Sequence, residues 1–294
     1  MFEHFKKSRP LCFLIIVLVY VLAALIGAAV FLLLPASGFL LRLFIADLAA
    51  TAWVWLMSLL AHNSSVYDPY WSVAPLIMLP LAAWHLQAWH AGTLLIMLVL
   101  LFWGIRLTAN WAMSFQSLES QDWRYTQLRE SHPQFWLLIN LFGIHVFPTL
   151  VVFLAMIPAI IFIRDFQTPN VGVAGGAAVS ALAAVLQARA DTQMRRFRRD
   201  PANMSRVNRH GLWKISRHPN YLGEILMWWG VFMMMISIKP YMWLAAVGPL
   251  VNTLMFIFIS IPMMERRQLA AKPDYNAYKA ETGMLLPRIW RMIK

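Results

Sequence analysis

Between Gly211 and Gly230 the chain reads GLWKISRHPNYLGEILMWWG, and Arg217, His218, Asn220, Tyr221 and Glu224 bring ionisable or hydrogen-bonding groups to the point where a polar loop enters an apolar helix. A charge within a bilayer costs at least ~2.5 kcal/mol on insertion scales, so such residues are functional candidates by default. Pro219 suits the first turn of a helix, where its missing N–H is not needed. From there Arg217, Tyr221 and Glu224 fall on one stripe at i, i+4 and i+7, with Asn220 four residues before Glu224. The arrangement reads as a ligand site. The competing reading is an intrahelical clamp of Arg217 or Asn220 on Glu224 that only neutralises buried polarity.

The preceding loop adds charge with a pattern. Asp191, Arg195 and Arg198 lie at i, i+4 and i+7, on one face of a helix continuing out of the apolar stretch before them. Guanidinium forks grip phosphate and a carboxylate accepts from ribose hydroxyls, so a nucleotide cofactor fits. Basic residues beside a membrane also serve as orientation signals or contacts to anionic lipid. In HNSSVYDPYWSVAP, Tyr67 and Asp68 put a phenol next to a carboxyl, although Asp68 could simply be a helix N-cap. In FWGIRLTANWAM, Trp103, Arg106 and Asn110 follow at i, i+3 and i+7. Arg106 lies about two turns inside its span, which favours a ligand contact over a snorkelling side chain.

The elements that position these residues must be membrane helices. Of the 294 residues 60% are apolar and 13% charged, too few charges to cover a soluble globule, where about 25% is usual. An all-α polytopic bundle is expected, with eight spans near 11–34, 39–61, 72–88, 92–115, 136–163, 171–189, 220–238 and 241–264. The unbroken first span, Leu11–Leu34, is longer than a signal-peptide core and is expected to be retained. With a cytoplasmic N-terminus, all 25 Lys and Arg residues except Arg42, Arg106, Arg164 and Lys239 fall in inside segments, so both termini are expected to be cytoplasmic. The net charge of +12 is thereby sorted by side of the membrane and does not point to nucleic acid. A single cysteine, Cys12, excludes an intrachain disulfide framework, and neither a cysteine cluster nor a suitably spaced histidine pair suggests a metal. Gly172, Gly176, Ser180 and Ala184 recur every four residues, as close helix packing in lipid requires.

The motifs GLW-x3-SRHPNYLGE-x3-WWG, preceded by YDPYWS, RL-x2-NW and DWRY and followed by ERR-x7-DY-x2-Y-x8-P, resemble the DUF1295 group of the steroid 5α-reductase superfamily over about Ser65–Pro287. The resemblance implies one membrane domain over 1–294: a seven-helix reductase core (39–264), an extra N-terminal helix (11–34), a cytoplasmic cofactor loop (189–219) and a cytoplasmic tail (265–294). It implies hydride transfer from NADPH to the β-carbon of a conjugated enone, with protonation of the α-carbon. Asn220 and Glu224 then match the family's cofactor contacts, Asp191, Arg195 and Arg198 its nucleotide loop, and Arg106 a basic residue beside the substrate cavity. The steroid reductases polarise their 3-keto oxygen with a Gln-Glu pair and a Tyr, and these positions fall on Tyr67, Asp68 and Trp103. The departures leave a donor pair in place and weigh against a steroid 3-ketone.

Hydride addition to an enone builds enolate charge on oxygen, so the site needs an aimed donor or acid. Tyr67 and Asp68 are the candidates, since desolvation raises a carboxyl toward neutrality. The cofactor's nicotinamide half would lie against Glu224, Asn220 and Arg106, and its phosphates against Arg195, Arg198, Arg209 and Arg217. Asp122, Arg124, Tyr125, Glu265, Arg266, Tyr275 and Tyr278 would close over it, with Asn110, His218 and Tyr221 beside it. No GxGxxG occurs, which counts for little in a helical membrane cavity. The partners expected are a lipophilic substrate and membrane lipid, in a setting that suits a bacterial inner membrane. The rival enzyme class is the isoprenylcysteine and phospholipid methyltransferases, which share an RHPxY helix and bind S-adenosylmethionine. The non-enzymatic rival is a sterol or lipid sensor.

Overall fold

The computed structural model describes residues 6–34 and 38–288, so residues 289–294 of the expected tail lie outside the described residues. The described chain is helical almost throughout. Every expected span is a helix: α1 (Arg9–Leu33), α2 (Phe39–Leu60), α3 (Tyr70–His85), α4 (Ala91–Ser114), a run from Trp136 ending in α6 (Phe147–Asp165), α7 (Val171–Arg198), α8 (Pro219–Ile236), and a run from Pro240 through α9 (Val247–Met255) to α10 (Ile261–Ala271). The polar loops are partly helical too, with α5 at Trp123–Ser131 and α11 at Tyr275–Glu281. Six of these helical segments are long and apolar enough to cross a membrane. The helices α3 and α8 fall outside that group. The 16 residues of α3 rise about 24 Å, short of a ~30 Å hydrocarbon core, and α8 opens on Asn220 and Glu224.

Two compact units form. The first comprises the described residues up to Leu86 with Leu107–Phe153, the second Gln87–Arg106 with the described residues from Leu154 onward. Within the second unit the small-residue ladder does what its spacing suggests. A Cβ on Gly176 would meet the Gly230 carbonyl oxygen at 2.6 Å, and Ser180 donates to the Met227 carbonyl at 3.0 Å. Gly223 answers from the other side, where a Cβ would come within 2.4 Å of the Gln187 side chain. The close α7–α8 seam sets the depth at which Gln187 meets Glu224.

Two helical runs are not regular. Ile139–Val146 and Phe256–Ser260 are π-helical, and the first continues without a break into α6. It carries the buried Asn140 and His145, and His145 Nδ1 lies 2.8 Å from the Asn140 carbonyl five residues back. Such π-bulges are rare and cluster at functional sites.

Candidate functional site

In the second unit a chain of polar side chains runs through the buried faces of α4, α7 and α8. Glu224, 3% exposed, accepts from Trp103 Nε1 at 2.8 Å, Gln187 Nε2 at 2.6 Å and Trp228 Nε1 at 2.9 Å. Gln187 passes the connection on, because its Oε1 accepts from Arg106 at 2.7 Å. Arg106 in turn pairs with Asp191 at 2.8 Å, and the Asn220 side chain lies near enough to the same carboxylate to favour its charged form. Trp103 and Trp228 meet edge to face with ring centroids 5.1 Å apart, which fixes both indoles. Arg106 therefore does not snorkel, and Glu224 is no intrahelical clamp for Arg217 or Asn220. Among the described residues Arg106 Nε is buried without a hydrogen-bond partner.

The sequence reading put Trp103, Arg106, Asp191, Asn220 and Glu224 at the site, and the structure joins all of them through Gln187, which it missed. Gln187 stands four residues before Asp191 and heads the stripe continued by Asp191, Arg195 and Arg198. Asn110 lies one turn beyond Arg106 on α4, in the first unit.

Arg217 and the tail form a different structure. Glu265, 6% exposed, accepts from Arg217 Nε at 2.7 Å, lies 3.2 Å from His218 Nε2, and pairs with Lys279 at 2.9 Å. Arg217 Nη1 also donates to the Lys279 and Thr282 carbonyls. The Tyr278 hydroxyl donates to the Trp213 carbonyl, Tyr275 packs edge-on against Tyr278, and Arg209 pairs with Glu281 over the Tyr278 ring. Together these contacts buckle α11 onto the loop before α8, and a short bridge between Ser216 and Gly283 completes the join. Arg217 is thus held by a carboxylate and two carbonyls, as a clasp residue. Burial lowers His218 below its ordinary value, against the opposing pull of Glu265, so its ring stays neutral at pH 7. His218 stacks on Tyr221, which rests on Phe256.

The other cations stay nearer the surface. Arg195 Nη2 bonds Thr192, Arg266 is exposed, and exposed Arg198 feels the charges of Arg267 and Lys272. They gather positive charge beyond the polar end of α7.

In the first unit Tyr67 and Asp68 turn to different partners. The Tyr67 hydroxyl bonds Thr149 at 2.7 Å, and Thr149 bonds Thr51 at 3.0 Å. The Asp68 carboxylate instead accepts from Tyr125 at 2.7 Å. Adjacent residues at the end of a short 3-10 helix, Ser64–Tyr67, point apart, so the phenol that meets Asp68 is Tyr125. Asp68 is not an N-cap: it closes the 3-10 helix through its backbone N–H, and α3 starts behind Pro69 without a side-chain cap, whereas Asp122 caps α5 by accepting from the Arg124 N–H at 2.9 Å. Burial and the nearby Asp122 carboxylate push the Asp68 carboxyl up to about 7, against the pull of Arg124 and the Tyr125 hydrogen bond.

Comparison with known proteins adds the lineage. The family described as "Protein of unknown function (DUF1295)" matches residues 54–282. An uncharacterized protein of Schizosaccharomyces pombe is 24% identical over 273 residues, covering 80% of this chain and 76% of that protein. No solved structure matches.

Proposed function

The chain belongs to the DUF1295 family, and on that premise we propose that it is a multi-pass membrane reductase that adds hydride from NADPH to a carbon–carbon double bond conjugated to a carbonyl in a lipophilic substrate. In this reading eight helices cross the membrane and both termini are cytoplasmic. The cofactor is held by Arg106, Asp191, Asn220 and Glu224, with the free Nε of Arg106 as one donor toward it. Arg195, Arg198 and their basic neighbours attract its phosphates. When bound, the cofactor supplies the hydride; the remaining chemistry is a proton and a polarised oxygen.

The observation that carries the reading is the Asp68–Tyr125 pair. Reduction consumes a proton, and a carboxyl held near pH 7 with a phenol 2.7 Å away can deliver one at neutral pH. Methyl transfer from S-adenosylmethionine to a carboxylate or an amine consumes no proton and needs no such acid. Trp103 has its indole N–H committed to Glu224 and acts here by positioning that carboxylate.

Thermal melting of the purified protein with NADPH, NADH and S-adenosylmethionine tests the class. NADPH at a hundredfold excess over its Kd is expected to stabilise by ~2.7 kcal/mol, with the other two ineffective. Stabilisation by S-adenosylmethionine alone would move the chain to the methyltransferases.

The pH dependence has a definite sign. An acid works only while protonated, so turnover of an identified enone is expected to fall as pH rises through about 7. Tyr125→Phe removes a hydrogen bond that stabilises the carboxylate, so it should move the falling limb to higher pH. Asp68→Asn should abolish that limb together with most of the turnover. Stability follows the same sign: the folded value lies above the ordinary 3.8, so the contribution of Asp68 is full below that value and lost as pH rises through about 7. A pH–rate profile of the wild type and both variants checks all three statements.

A further inference from the structure

The first unit contains a cavity of about 130 Å³ walled by α1, α2 and α3. Its lining is almost wholly apolar, with Ala24, Gly27 and Ala46 among the wall residues beside larger ones such as Leu43 and Met78, yet Asp47 and Tyr70 stand in it. Neither Tyr67 nor Asp68 lines it. Asp47 is 6% exposed, and its Oδ1 accepts from the Tyr70 hydroxyl at 2.8 Å. Its Oδ2 has no hydrogen-bond partner among the described residues, nor does the side chain have an ion-pair partner there.

A polar atom left unpaired inside an apolar wall is the kind of group a ligand is built to satisfy. We propose that this cavity is a binding site for the hydroxyl end of a lipid alcohol, received by Asp47. A hydroxyl suits the position because it donates to a carboxylate and accepts from a carboxylic acid, so it is bound in either protonation state. A ketone or ether can only accept, and a bare hydrocarbon satisfies nothing. A cavity of this size takes a benzene-sized group, so it encloses the first several carbons behind the hydroxyl, and the tail continues into surrounding lipid. The Tyr20 ring forms part of the wall, held by its hydroxyl on the Val66 carbonyl at 2.8 Å and edge-on to Tyr70. The inference does not rest on the reductase reading.

The test uses the full chain in nanodiscs and a long-chain alcohol with a photoreactive diazirine near its hydroxyl, compared with its methyl ether. The alcohol is expected to label α1–α3 residues of the cavity at least tenfold more than the ether, and unlabelled alcohol should compete. Asp47→Val and Ala24→Phe should each cut that labelling tenfold or more, the first by removing the acceptor and the second by filling the space. Asp47→Asn, which keeps a donor and an acceptor, should stay within threefold. Equal labelling by alcohol and ether, labelling confined to other helices, or unchanged labelling of Ala24→Phe would each overturn the proposal. Should Asp47→Val fail to fold, Ala24→Phe and the alcohol-to-ether ratio decide. NADPH stabilisation is expected to be the same in all folded variants, so a failure here is separable from a failure of the cofactor reading.

Discussion

Replacing Glu224 with leucine is expected to lower stability by on the order of 3–6 kcal/mol and to abolish stabilisation by NADPH. The wild-type carboxylate is the common acceptor of Trp103, Gln187 and Trp228. Leucine leaves all three donors without a partner in a buried setting, and each unsatisfied donor costs ~1–3 kcal/mol before relaxation. Glu224→Gln should lie between the two. It keeps one oxygen for Trp103 and Gln187 but can set an amide N–H against the Trp228 N–H. A loss of about 1–3 kcal/mol is expected for it. Thermal melting in detergent with and without NADPH reads both effects. A glutamine variant that melts like the wild type would mean that the carboxylate does not hold the three helices together.

The second large effect belongs to the clasp. Glu265→Ala strands Arg217, a guanidinium 6% exposed, next to carbonyls that cannot neutralise it. Breaking a buried ion pair from one side typically costs about 3–5 kcal/mol. Because the same carboxylate holds His218 and Lys279, the loss should appear as release of α11: faster tryptic cleavage at Arg209 and Lys279, and earlier melting. The double variant Arg217→Met with Glu265→Leu should recover much of the loss, since an apolar pair of similar volume can replace a buried salt bridge. A different outcome would identify Arg217 as a phosphate ligand. Arg217→Met would then weaken NADPH stabilisation while leaving the protease pattern untouched.

Much of this architecture was written in hydropathy. The eight apolar stretches all became helices, and the ladder from Gly172 to Ala184 announced the closeness of α7 and α8, because small residues at a period of four have few other uses in lipid. The site was only half legible. Arg106, Asp191, Asn220 and Glu224 stood out because charge in an apolar helix is conspicuous, but Gln187 is neutral and is seen only once it links Arg106 to Glu224. The Tyr125–Asp68 bond spans 57 positions and the Arg217–Glu265 bond 48. Local periodicity carries no information over such separations. The adjacency of Tyr67 and Asp68 misled in the opposite sense: neighbours in the chain suggested one constellation, and helical geometry turned them apart.

The π-helical run Ile139–Val146 bears on how related chains should be aligned. A π-turn holds a surplus residue that an α-turn would not accommodate. Removing one residue between Ile139 and Val146 lets the helix close to i→i−4 bonding and rotates one side against the other by about 100°. Asn140 would then swing away from the face that carries His145 and Thr149, while every loop keeps its length. A relative that lacks the residue will show a single-position gap in mid-helix, and that gap marks a change in what surrounds Tyr67, whose hydroxyl rests on Thr149 and whose ring lies 4.8 Å from His145.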